Sequence, residues 1–326
     1  MGDPARAHPP RIVVVGSTIV DLTMFTDDFP RAGQTILGRS FDFGWGGKGA
    51  NQAVAATLCG AHVDMVARVG DDLFGPATID NLIRKGIGTE HVRVVPGAPS
   101  GVAPIFVEPG GQNRIVVVKG ANDRLMPADV DAAIDTIRRA GCIVLQLEVP
   151  LETVYHTIEV AAELEIPCIL NPAPSQPLDM RAVASARYVI PNESEAEALT
   201  GLPVRTLAEA ETCGRQLLAQ GVQRAIITLG DRGAMLVLPE GAVHVPGFDA
   251  AAKDSTGAGD AFIGSFAVFL AEGHTERGAI ARANLYAALA TMEIGTQKAF
   301  VSRERFDAEW QARLPMNAGY LGGSVV

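Results

Sequence analysis

Short apolar runs of strand length recur at residues 11–16, 142–147, 167–170, 188–190 and 224–229, and helical patterns such as 151–163 and 207–218 fall between them. Two parallel strands need a crossover long enough to hold a helix, so this alternation predicts an α/β fold. The expected class is a doubly wound, mainly parallel sheet with helices on both faces. Two regions break the rhythm, 35–43 and 91–118. In the second, 91–95, 101–107 and 113–118 read as strands separated by turns at Pro96-Gly97 and Pro109-Gly110-Gly111. These regions predict a small β-sheet inserted into the α/β domain, which would act as a lid over the ligand crevice. A pair of surface hairpins would give the same pattern. No internal repeat is visible; one domain is expected over 11–315, followed by a loose Gly-rich tail at 316–326.

With 326 residues, 48% of them hydrophobic and 20% charged, the chain can bury a sizeable core. Its 37 acidic against 27 basic residues give a net charge of −10, which repels phosphate backbones and anionic lipid. Neither nucleic acid nor a membrane surface is an expected partner. The apolar stretch 261–271 is closed by Asp260 and Glu272, well short of the roughly 18 residues that a membrane helix requires. The first ten residues carry Asp3, Arg6, His8 and prolines before a four-residue apolar run, too brief for a secretory core of about 7–15 residues, so a cytoplasmic location is expected. Cys59, Cys142, Cys168 and Cys213 are scattered through apolar segments and read as small hydrophobes, and the dispersed histidines form no metal-ligand spacing.

The first strand ends at Gly16-Ser17, and Thr18, Ile19 and Val20 then stand where a dinucleotide-binding turn would need glycines. Asp42 and Gly49 likewise break the spacing of a P-loop around Gly47-Lys48. Two other glycine-rich turns open helical stretches, where free N–H groups and the positive dipole end accept anions. Residues 44–51 precede the helical stretch 52–58 and offer the Lys48 amine and the Asn51 amide to a polar ligand. Residues 254–260 precede 261–270, where the N–H groups of Gly257, Ala258 and Gly259 could form an anion hole with the Asp260 carboxylate beside it. Carboxylate and anion hole together suggest phosphoryl transfer, although an aspartate at a helix start also serves as a simple dipole partner.

With these two turns, Gly16-Ser17, Asp21, Gln146-Leu147-Glu148, Asn171-Pro172-Ala173-Pro174, Pro191-Asn192-Glu193-Ser194-Glu195 and Thr228-Leu229-Gly230, the chain resembles the ribokinase-like, or phosphofructokinase-B type, sugar kinases from residue 12 to about 306. The resemblance implies an ATP- and Mg2+-dependent phosphotransferase. Asp260 would be the base, and Gly257, Ala258 and Gly259 would hold the transferring phosphoryl group. Ile19, Asp21, Gly47, Lys48, Asn51 and Glu148, with Asp260, would line the sugar. Asn192, Thr228, Gly230, Gly233, Gly259 and Asn284 would surround the nucleotide, and Glu195 would organise Mg2+ through water. Asp254, Thr256, Ala290, Glu293 and Gly295 match a K+ site, from which the chain departs at Ala299, where a hydroxyl is expected, and in the charge of Glu293. At Ile19 the ribokinases carry asparagine, whereas the deoxyribokinase branch carries an apolar residue, so 2-deoxyribose is the expected sugar. Ribokinase, a nucleoside or hexose kinase of the same fold, and a catalytically silent sugar-binding relative are the alternatives. The lid is expected to form a homodimer across a two-fold axis.

Overall fold

The computed structural model describes residues 9–110 and 112–313. Thirteen strands occur among them: β1 (Arg11–Val15), β2 (Ile19–Phe25), β3 (Ser40–Gly46), β4 (His62–Gly70), β5 (Gly88–Val95), β6 (Gly101–Val107), β7 (Asn113–Ile115), β8 (Cys142–Leu145), β9 (Cys168–Leu170), β10 (Tyr188–Val189), β11 (Ala225–Thr228), β12 (Ala234–Leu238) and β13 (Gly241–Val245). Nine form one sheet in the order β13-β12-β11-β10-β9-β8-β1-β4-β5, parallel from β11 to β5 and closed at the other edge by the antiparallel β12-β13 hairpin.

Side chains alternate across a strand, so the continuous apolar run of β1 feeds two cores. Ile12 and Val14 join a cluster with Phe262, Phe266, Phe269 and Tyr286, while Val13 and Val15 join Leu125, Ile137, Val154 and Leu217 on the other face. The helix Ala258–Ala271 is buried almost all round, as its uniformly apolar sequence requires. It packs closely on the helix Lys48–Leu58: a Cβ on Gly264 would stand 2.4 Å from the Gln52 backbone oxygen. That close approach brings the two glycine-rich turns to the same end of the sheet.

The remaining four strands form the separate lid sheet, in the order β3-β2-β6-β7. Its membership differs from the sequence expectation for segments 35–43 and 91–118. Residues 91–95 lie in β5, paired parallel to β4 in the main sheet. As the edge strand, β5 is only half covered, and it therefore shows the alternation that a lid strand would show. One of the two central lid strands is instead β2, which starts four residues after β1, with no Gly-Pro turn to announce it. The strand expected within 35–43 runs from Ser40 to Gly46, and that expected at 113–118 is reduced to β7 and a bridge between Val102 and Val118. The helices after the two glycine-rich turns both begin earlier than expected, at Lys48 and Ala258, so Lys48, Asn51 and Asp260 lie in first helical turns. The tail expected at 316–326 lies outside the described residues. Among the described residues no helix is long and apolar enough to cross a membrane.

The far end of the Ala258–Ala271 helix is fastened by charge. Arg303, at the start of the helix Arg303–Ala312, donates to Glu272 Oε1 at 2.6 Å, to Asp307 Oδ1 at 2.9 Å and to the Cys59 carbonyl at 2.8 Å. Burial alone would raise the Glu272 carboxyl, but His274 and Arg303 outweigh it and hold it down at about 2. Its folded value lies below the unfolded one, so its stabilisation is present above about pH 4.5 and is lost as pH falls toward 2. Glu272→Gln should therefore cost about 1–3 kcal/mol near neutrality. Urea unfolding of both proteins across pH should show the gap narrowing in acid; a gap independent of pH would refute the ion pair's contribution.

Candidate active site

The strand ends of β1 and β8 and the first turns of two helices converge under the lid. Gly47 caps the Lys48–Leu58 helix at φ 86°, in the left-handed region, with its Cα so close to β2 that a Cβ would meet the Ile19 nitrogen at 2.6 Å. No other residue type fits there. Immediately after it, the Lys48 N–H donates to Glu148 Oε2 at 2.8 Å, and Ser17 Oγ donates to the same oxygen at 2.5 Å. Asp260, 7% exposed, accepts from Asn51 Nδ2 at 3.0 Å on one oxygen and from Gln52 Nε2 at 2.9 Å on the other.

The Ala258–Ala271 helix begins at Gly257. Helix starts leave N–H groups unpaired; here the Ala258 N–H is taken up by the Ser255 carbonyl at 3.1 Å, so of the three expected anion-hole donors it is the one already engaged. The Gly257 and Gly259 N–H groups meet no acceptor among the described residues. A cleft of about 440 Å³ opens between the lid and the loops at 253–256 and 294–298, with Asp21, Trp45, Ile105 and Asp254 on its walls. Ile19, 4% exposed, sits at the start of β2 in register with Gly46 and Gly101.

These charges are strongly coupled. Burial, and then the neighbouring Glu148 and Asp260 carboxylates, push the Asp21 carboxyl up to about 7. Burial lowers the Lys48 ammonium, but attraction from Asp260, Glu148 and Glu195 outweighs it and raises the value. Glu195 is also raised, by burial first.

Asn192 and Glu195 form a reciprocal cap on the helix Glu193–Thr200: Asn192 Oδ1 accepts from the Glu195 N–H at 2.8 Å, while the Asn192 N–H and Nδ2 donate to the two Glu195 oxygens at 2.9 and 3.0 Å. Thr228, on the neighbouring β11, bridges to Asn192 and donates from its backbone to the Pro191 carbonyl at 2.9 Å. Gly230 and Gly233 bracket the turn between β11 and β12. Asn284 spends both amide hydrogens on the Val245 and Pro246 carbonyls, at 3.0 Å each, and so holds the loop that follows β13.

Asp254 Oδ1 accepts from the Thr256 N–H and hydroxyl at 2.9 and 2.6 Å, and its Oδ2 accepts from the Gly295 N–H at 2.9 Å. Burial opposes these bonds but does not prevail, and the Asp254 carboxyl is lowered. Ala290 ends the helix Glu276–Ala290, Ala299 is buried close by in sequence, and Glu293 turns outward to Lys253 at 3.5 Å. Among the described residues no three His, Cys, Asp or Glu side chains stand together as a metal site. Ser17, Gln52 and Gln146 take part in the site without having been singled out from sequence. The only signal was that Ser17 and Gln146 stand in the Gly16-Ser17 and Gln146-Leu147-Glu148 motifs and that Gln52 directly follows the turn at 44–51.

Residues 9–303 match the pfkB family carbohydrate kinase. A deoxyribokinase of Salmonella typhi is 44% identical over 91% of this chain and 97% of its own length. A ribokinase of Bacillus subtilis is 40% identical over 91% and 98%. Among solved structures, an Arabidopsis thaliana ribokinase complexed with ribose and ATP superposes with a TM-score of 0.87 at 28% identity, covering 97% of this chain and all of that one.

An Asp21 value near 7 has a thermodynamic consequence. The folded value lies above the unfolded one, so wild-type stability falls as pH rises from about 3.8 to about 7. Without sugar, Asp21→Asn should raise Tm at pH 8, with the gain shrinking as pH is lowered through 7 toward 4. Thermal denaturation across that range checks it; a variant less stable than wild type at pH 8 would contradict the crowding of carboxylates.

Proposed function

Because the chain belongs to the pfkB family of carbohydrate kinases, we propose that it transfers the γ-phosphoryl group of ATP to the 5-hydroxyl of 2-deoxyribose, with ribose as a poorer substrate. The observation that carries the reading is the buried Asp260 carboxylate, gripped through both oxygens by amides and standing in the first turn of a helix beside the Gly257 and Gly259 N–H groups. Asp260 takes the proton from the sugar hydroxyl, whose oxygen bonds to the γ-phosphorus as the bond to the β–γ bridging oxygen breaks and ADP leaves. Charge gathering on the transferring group is met by the N–H groups and the helix dipole. Asp21, Gly47, Lys48, Asn51 and Glu148 hold the sugar through its hydroxyls. Asn192, Thr228, Gly230 and Gly233 frame the nucleotide, with Asn284 acting through the loop it secures.

Mg2+ bound with ATP would neutralise phosphate charge, and Glu195 is the residue that would hold its water shell. A hydrated Mg2+ needs only one such carboxylate, and each capped Glu195 oxygen retains a second lone pair. K+ would rest on ionised Asp254 with the Thr256 and Gly295 backbone. Ala290 would lend its carbonyl, and Glu293, engaged by Lys253, would contribute least. The four buried thiols suit the reducing cytoplasm. Exposed apolar lid residues, Phe41 and Ile115 among them, suit a homodimer formed through that sheet.

Asp260→Asn keeps shape and removes the proton acceptor, so kcat should fall by about 10²-fold or more with little change in sugar affinity. Turnover above about a tenth of wild type would remove Asp260 from the proposed role.

The sugar assignment rests on Ile19. A hydroxyl left against this buried side chain loses its partner at a cost of roughly 1–3 kcal/mol, whereas the C2 methylene of deoxyribose does not. Wild type should favour deoxyribose in kcat/KM by about 10–200-fold, and Ile19→Asn should move the ratio toward ribose. A wild-type preference for ribose, or a ratio unmoved by the substitution, would return the chain to ordinary ribokinase activity.

A further inference from the structure

Gln52 is completely buried, and every polar atom of its side chain is engaged. Its Nε2 donates to Asp260 Oδ1 at 2.9 Å and to Asn171 Oδ1 at 3.2 Å, and its Oε1 accepts from Gln146 Nε2 at 2.6 Å. A side-chain amide can be turned end for end with almost no change of shape, so its direction is dictated by its partners. Here the partners leave one answer. The Asp260 carboxylate only accepts. Asn171 Nδ2 is committed to the Ile190 carbonyl at 3.0 Å, which also only accepts, so Asn171 shows Gln52 an oxygen. Both contacts demand the NH2 of Gln52, and the donor that its Oε1 then requires is Gln146, itself completely buried. A second arm has the same polarity: Asn51 Oδ1 accepts from Gln297 Nε2 at 3.1 Å, and Gln297 Oε1 accepts from Asn81 Nδ2 at 3.3 Å.

Building on the assignment of Asp260 as base, we propose that Gln52 is the positioning residue of that base and that Gln146, the donor to Gln52 Oε1, holds Gln52 in that orientation. The carboxylate torsion of aspartate is broad and roughly two-fold. Amide donors on both oxygens set its plane, leaving the remaining lone pairs for the sugar hydroxyl. Gln146 makes no hydrogen bond to Asp260; its Nε2 is given to Gln52, through which it acts.

The test is a double-mutant cycle with Gln52→Met and Gln146→Met, which keep length and remove the amides, read by kcat, by KM for sugar and for ATP, and by Tm. Gln52→Met should lower kcat by about 10–100-fold with both KM values within about threefold, because a misaligned base slows the chemical step without loosening the substrates. Gln146→Met should lower kcat by about 3–10-fold in the same manner, and the double variant should match Gln52→Met, as expected for residues acting in series. Wild-type kcat in Gln52→Met, or losses that multiply in the double variant, would overturn the proposal, as would a fall in Tm with no change in kcat. If Gln52→Met does not fold, Gln146→Met decides alone: reduced kcat at unchanged KM supports the proposal, and unchanged kcat overturns it. Asp260→Asn separates the two ideas. An inactive Asp260→Asn beside a normal Gln52→Met discards only the positioning role, whereas an active Asp260→Asn discards the base.

Discussion

Taking a carboxylate out of water costs several kcal/mol unless donors replace the solvent, and this crevice buries Glu148, Glu195 and Asp260 together with most of Asp21. The local structure answers that cost group by group. Glu148 receives the Ser17 hydroxyl and the Lys48 N–H, Glu195 receives its helix cap, and Asp260 receives two amides. One ammonium, Lys48, stands in the field of three of the four. What is left unrelieved falls on Asp21, whose carboxyl is the group pushed to about 7.

The parallel sheet makes this arrangement geometrically natural. Its strands deliver chain to one rim, and the helices Lys48–Leu58, Glu193–Thr200 and Ala258–Ala271 start with Lys48, Glu195 and Asp260 in their first turns. Each start brings partial positive charge to where carboxylates gather and phosphate is expected. The helix carrying Asp260 is also the most apolar among the described residues, so the proposed base is mounted on an element that the core holds from all sides.

Much of this was legible in the sequence because phosphoryl transfer needs short contiguous turns: residues 44–51 and 254–260 declare themselves by glycine, lysine and carboxylate within a few positions. The alternation of runs gave the sheet, since burial on both faces removes polar residues from central strands. Position within a sheet was less legible. An edge strand such as β5 and a lid strand such as β2 are each half covered, and the pattern records coverage rather than partners. The amide chain was illegible for another reason. Gln52 and Gln146 are 94 residues apart, and Gln52 and Asn171 are 119 apart. A glutamine in a segment that is to be buried announces only that it needs partners, and the fold decides which.

The single glycine joining lid to helix has mechanical meaning. The lid strand β3 ends at Gly46 and the helix carrying Lys48 and Asn51 begins after one intervening residue, while β2 leaves β1 after only three. A hinge needs slack, and these joints have almost none. A tilt of the lid would therefore turn the first coil of the helix and shift the Lys48 N–H against Glu148 and the Asn51 amide against Asp260. Shutting the crevice and aligning the groups around Asp260 would then be one displacement, with the enclosure serving as a linkage rather than as a cover.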